Sequence, residues 1–126
     1  MVNDMLGDIY QAFLKQPELA NICIKSFERP ETLEADKSSI VIKPVSSPMR
    51  VMNGSDTSLA KRFTYQINVE CAERIECKEI WSVIEPILES FHFYQVAGDL
   101  EDYISHIKRY VDVRTYRGVS PLYKKY

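Results

Sequence analysis

Phe63-Thr64-Tyr65-Gln66-Ile67-Asn68-Val69-Glu70-Cys71 alternates apolar and polar side chains without a break. Successive side chains of a strand point to opposite faces, so this period of two predicts a β-strand with one face in a core and the other toward water. Immediately afterwards the period changes. From about Ile75 to Phe91, residues Ile80, Ile84, Ile87, Leu88 and Phe91 recur at helical spacing with Trp81 beside them, which predicts an amphipathic helix. Pro86 lies inside it. A proline there removes one backbone bond and clashes with the preceding turn, so a kink or a restart is expected near Glu85.

Toward the N-terminus, Asn3 or Asp4 can cap a first helix. Its stripe is Leu6, Ile9, Tyr10, Phe13 and Leu14. Pro17 ends it near Lys15 or Gln16, because the residue before proline avoids the helical region. Ile22 to Phe27 reads as a short strand, and Arg29 to Lys37 as a polar connection. Ser39 to Val45 is a second strand. Its centre, Ile40-Val41-Ile42, predicts burial on both faces, and Pro44 predicts an edge or an end. Ser46 to Ser58 is long and polar, with Pro48 and the turn-forming pair Asn53-Gly54. It reads as a hairpin arm, and loops of that length tend to be functional or disordered.

On the C-terminal side, Phe93 to Ala97 reads as a short strand and Gly98-Asp99 as a turn. Asp99 to His106 fits a helical turn or an extended link, and the pattern leaves both open. Lys108 to Tyr116 predicts the last strand. Arg109, Val111, Val113 and Thr115 share one face; Lys108, Tyr110, Asp112, Arg114 and Tyr116 share the other. The expected fold class is α+β: a mostly antiparallel sheet flanked by two main helices, with a long hairpin arm. One domain spans 1–126, and whether 119–126 is a flexible tail the pattern leaves open.

The 126 residues are 45% hydrophobic and 27% charged, a globular composition with enough chain for one core. The net charge of -2 is unevenly spread. Ile107 to Tyr126 carries six bases and one acid, or +5, which leaves -7 for the rest. An acidic body with a basic end can meet a neighbour head to tail, although charge runs are also commonly just solvated. Met1 to Leu14 has no unbroken apolar run, so no signal peptide is read there, and no segment is long enough to span a bilayer. Cys23, Cys71 and Cys77 are odd in number and unpatterned, which fits reduced thiols.

Catalytic and cofactor chemistry finds little support. Gly7, Gly54, Gly98 and Gly118 are isolated, so no glycine-rich phosphate loop exists. Cys71 and Cys77 lack the close pairing of a zinc site, and His92 and His106 are far apart. No nucleophile elbow is present. Asp99, Glu101 and Asp102 form an acidic cluster whose ordinary role is a solvated surface. Tyr110, Arg114, Tyr116, Arg117, Tyr123, Lys124, Lys125 and Tyr126 interleave aromatic and basic groups, which suits nucleic acid or a protein interface. The acidic whole, with pI near 5.7, favours protein contact.

The order of elements resembles that of tail terminators, the small tail-completion proteins of long-tailed bacteriophages and their prophage relatives. The residues that carry the likeness are Met5-Leu6-Gly7-Asp8-Ile9-Tyr10, Ser38-Ser39-Ile40-Val41-Ile42-Lys43-Pro44, Phe63 to Val69 before a helix, and Arg114-Thr115-Tyr116-Arg117-Gly118. They cover most of the chain up to Gly118 as patterns of type and order. The resemblance implies a non-enzymatic structural protein without cofactor or metal. It implies a ring, commonly of six copies, at the head-proximal end of the tail tube, where the ring ends tube polymerisation and joins the head connector. The implied partners are other copies, the tail tube protein and the head-tail connector protein, in the virion tail after assembly in the host cytoplasm. No membrane is expected, and nucleic acid is not expected as the main partner. A rotational ring needs two unlike patches on each copy. The expected contact residues are Arg50, Asn53 and Asp56 in the arm and Arg114, Tyr116 and Arg117 near the end. The alternatives are another head-tail connector subunit, a small nucleic-acid-binding regulatory module, and a small enzyme with a thiol or carboxylate centre.

Overall fold

The computed structural model describes residues 3–28, 37–52, 58–121 and 125–126. Helix α1 (Met5–Leu14) is followed by a short 3-10 turn (Pro17–Leu19) and strand β1 (Cys23–Ser26). Strands β2 (Ser39–Pro44), β3 (Met49–Met52) and β4 (Ser58–Cys71) come next, then helix α2 (Arg74–Ser90) and strands β5 (Phe93–Ile104) and β6 (Arg109–Val119). The strands form one sheet in the order β1-β2-β4-β6-β5, with β3 paired to the early part of β4. Only β1 and β2 run parallel; every other pairing is antiparallel. The fold is therefore α+β.

The alternating stretch is the second half of β4, at the centre of the sheet. Phe63, Tyr65, Ile67, Val69 and Cys71 are buried and join one core with Ile40 and Ile42 of β2, Tyr116 of β6 and the buried stripes of both helices. Residues opposite one another across a ladder share a face, so the register assigns the whole sheet. Ile40–Val69–Asp112 and Ile42–Ile67–Arg114 lie across the helix-covered face. Val41–Asn68–Val113–Leu100 and Lys43–Gln66–Thr115–Ala97 lie across the other. Val41 is nonetheless buried along with Ile40 and Ile42, as the triple apolar run predicts. Pro44 is tolerated because β1 ends opposite Ile42, which leaves the last residues of β2 with a neighbour on one side only.

Two expectations are corrected. Helix α2 does not restart at Pro86; it is one helix from Arg74 to Ser90. The proline costs about 3 kcal/mol. Trp81 and Ile84 before it and Leu88 after it are all fully buried against the same sheet, each contributing about 1.5–3 kcal/mol, so packing holds the two halves together. Gly98-Asp99 is not a turn. β5 passes through it, with irregularities in the register between Gln95 and Ala97 and between Gly98 and Leu100. The reversal comes instead at 105–108, where Lys108 takes a positive φ of 55°. The hairpin arm expected after Val45 is present in part, since Met49–Met52 pairs antiparallel with β4 and extends the sheet.

The end of the chain packs onto the start. Asn3 N donates to Lys125 O at 2.9 Å, Tyr126 sets its ring edge-on to Phe63, and Lys61 Nζ donates to Tyr126 O at 2.7 Å.

Candidate interaction surface

β5 is an edge strand with ten of its twelve residues exposed. Among the described residues, large apolar side chains concentrate there: Tyr94 is 57% exposed, Val96 49%, Leu100 45% and Tyr103 44%. The register brings Tyr94 and Leu100 to the open face with Arg117 and Val113, and Tyr103 to the helix face with Tyr110, where the two rings lie 4.7 Å apart. The strand also carries Asp99, Glu101 and Asp102 and no base. All three acids are exposed. Asp99 sits at a register irregularity, which turns its carboxylate onto the open face to accept from Thr115 Oγ1 at 2.5 Å and from Gln66 Nε2 at 3.4 Å. Glu101 accepts from Arg74 Nε and Lys78 Nζ, each at 3.2 Å. The hydrogen bond from Lys78 leads the causes that hold its carboxyl below the usual range.

At the opposite side of the sheet there are two edge strands: among the described residues β1 pairs only with β2, and β3 pairs only with β4. Met49 is 60% exposed there. Arg50 stands directly across from Lys61, and Met49 across from Arg62; Arg50 and Arg62 are exposed. Lys61 Nζ is engaged with Tyr126 O, so Arg50 and Arg62 are the exposed cations of this hairpin.

Between these edges, no helix covers the open sheet face among the described residues. It is mixed in character. Glu70 and Arg109 form an ion pair within it, and a shallow groove of about 250 Å³ lies between Asn68, Leu100, Ile104, His106, Val111 and Val113.

The six expected contact residues separate. Arg50 is on the open edge of β3. Asn53 and Asp56 lie outside the described residues. Arg117 is exposed on the open face, its Nε donating to Thr64 Oγ1 at 3.3 Å. Arg114 turns inward. It forms two 3.1 Å hydrogen bonds with the carboxylate of Asp112, and its Cζ lies 4.4 Å from the centre of the Trp81 ring. Tyr116 is corrected from a surface contact to a core residue: it is 1% exposed and stacked on Trp81 at 5.7 Å. Even-numbered positions of β6 face the helices, and that parity carries Tyr116 inside. For the same reason the interleaved bases and aromatics of β6 do not form one stacking platform. Arg109 Nη2 donates to Lys37 O and Glu70 O, Tyr110 meets Tyr103, and Arg114 and Tyr116 meet Trp81.

Cys71 and Cys77 are buried and Cys23 is half-buried, all as free thiols. The Cys77 thiol donates to the carbonyls of Val69 and Tyr110, and the neighbouring Cys71, then burial, push it up and keep it protonated. Among the described residues, no group of three His, Cys, Asp or Glu is placed to hold a metal ion, and no helix is long and apolar enough to cross a membrane.

Phe93 to Ala97 is read as strand from the sequence, but its continuation to Ile104 was hidden because two register irregularities break the period of two. The signal that could have found it is the recurrence of Tyr94, Val96, Leu100 and Tyr103 on both sides of Gly98-Asp99. No protein-family model matches this chain, and no curated protein matches it significantly.

Proposed function

We propose that this chain is a non-enzymatic assembly protein whose copies associate into a ring, acting as a tail terminator that ends tube growth and joins a phage tail to its head connector. The observation that carries the self-association is β5: a twelve-residue edge strand with exposed Tyr94, Val96, Leu100 and Tyr103. An open edge presents unpaired N–H and C=O groups, and exposed apolar side chains along it gain by being covered. The tail role is supported by the resemblance in element order and in the four quoted segments. Of the alternatives, an adjacent connector subunit would use the same surfaces. The nucleic-acid reading is less favoured, since Tyr110, Arg114 and Tyr116 are engaged within the fold; Tyr123 and Lys124 lie outside the described residues.

Two measurements test this. Light scattering on the purified chain should show a discrete ring-sized species, alone or once tube protein is added, and tubes grown in its presence should stop at a defined length. A monomer that leaves tube growth unchanged, and that binds DNA with a steep salt dependence, would refute the reading.

A further inference from the structure

The β5 edge and the β3 edge are unlike and lie on opposite sides of one sheet. We propose that β5 of one copy pairs edge to edge with β3 of the next, so that neighbouring sheets join into one continuous sheet around the assembly. This rests on the self-association proposed above and names the surfaces that produce it.

Three observations carry it. The first is direction. β6 is antiparallel to β4 and to β5, so β5 runs the same way as β4, while β3 runs opposite to both. A neighbour in the same orientation therefore presents β3, like β1, antiparallel to β5, the pairing that every strand pair but β1–β2 uses; charge and apolar exposure then favour β3. The second is charge. β5 carries Asp99, Glu101 and Asp102 without a base; the β3–β4 hairpin presents exposed Arg50 and Arg62, with Arg50 held opposite Lys61. Pairing β5 with a second β5 would set Asp99 and Asp102 against their own copies, Glu101 being already paired with Arg74 and Lys78, which disfavours that symmetric dimer and favours the heterologous contact. The third is apolar exposure on matching faces. Leu100 and Met49 both lie on the open face and are 45% and 60% exposed. The contact joins two different patches of each copy, so its repetition closes a ring or continues as a filament.

Engineered disulfides test it in a Cys23→Ser chain, which keeps only the buried native thiols. Leu100→Cys and Met49→Cys together should give, on mild oxidation at high protein concentration, a ladder of covalent multimers on a non-reducing gel; neither alone should go beyond background. Two reversals on the same face give a second readout. Asp102→Arg and Arg62→Asp should each weaken assembly about tenfold or more, and the chain carrying both should recover most of it, with urea midpoints of the singles unchanged. Leu100→Cys alone yielding dimers as efficiently as the pair would overturn the proposal in favour of a symmetric contact. Assembly seen by light scattering with no cross-link and no effect of the reversals would overturn the proposal and leave the ring reading standing. A chain that stays monomeric throughout would overturn both.

Discussion

Arg109 Nε stands 3.4 Å from Glu70 Oε1 on the open side of the sheet, with both side chains only 3% exposed. The guanidinium also bonds Lys37 O at 2.5 Å and Glu70 O at 2.9 Å, tying the hairpin end of β6 to β4 and to the start of β2. Removing one member strands the other charge in a buried place. Glu70→Ala or Arg109→Ala should each cost about 3–5 kcal/mol in urea unfolding. The paired change Glu70→Leu with Arg109→Met should lose much less than the sum. A loss below about 1 kcal/mol for Glu70→Ala would mean that solvent reaches the pair.

Arg114 and Arg117 are three residues apart and behave oppositely. Arg114→Ala removes the contact with Trp81 and two bonds to buried Asp112, so it should lower stability by about 1–3 kcal/mol and shift Trp81 fluorescence. Arg117→Ala exchanges one exposed side chain and should stay within about 0.5 kcal/mol. Equal stability of the two variants would show that Arg114 is not held as described.

Alkali should unfold this protein through its tyrosines. Burial, then the Glu85 carboxylate, push the Tyr116 phenol up to about 12 from an ordinary 10.0. Burial, then Asp4, raise Tyr65 as well. A raised folded value means that the unfolded chain loses its proton first as pH climbs. The stability these phenols contribute is whole below about pH 10 and, for Tyr116, is lost between about pH 10 and 12, at up to about 1.4 kcal/mol per pH unit for each group. Unfolding free energies measured across that window should fall, and Tyr116→Phe should flatten the fall. A slope identical in the variant would remove Tyr116 from the account.

Gly118 sits across from both Phe63 and Phe93 in the sheet, and a Cβ at that position would run into the Phe93 ring. Phe93 is fully buried, so its ring cannot swing out to solvent without loss of packing. Gly118→Ala should therefore cost about 1–3 kcal/mol, and Phe93→Leu in the same chain should show coupling of about 0.5 kcal/mol or more in a double-mutant cycle. Strict additivity would mean that the two side chains do not compete for one space.

Local pattern alone determined both helices, the short first strand, the second strand, the central strand and the last strand, because a period of 2 or 3.6 in apolar residues is a property of neighbours in the chain. The α+β class followed from them. Pairing between distant segments decided the rest. Gly98-Asp99 has the composition of a turn, yet ten pairings with β6 carry β5 straight through it, and ladder energy summed over a long strand outweighs one local preference. The true turn at Lys108 and the end of α2 at His92 use positive φ without glycine, so no turn residue announced either. Helices α1 and α2 both cover the face that holds Ile67 and Tyr116; that choice buried Tyr116, turned Arg114 onto Trp81, and left the opposite face without a helix among the described residues. Which side of a strand meets a helix, and which strand ends at an edge, are relations between elements that no single stretch of sequence contains.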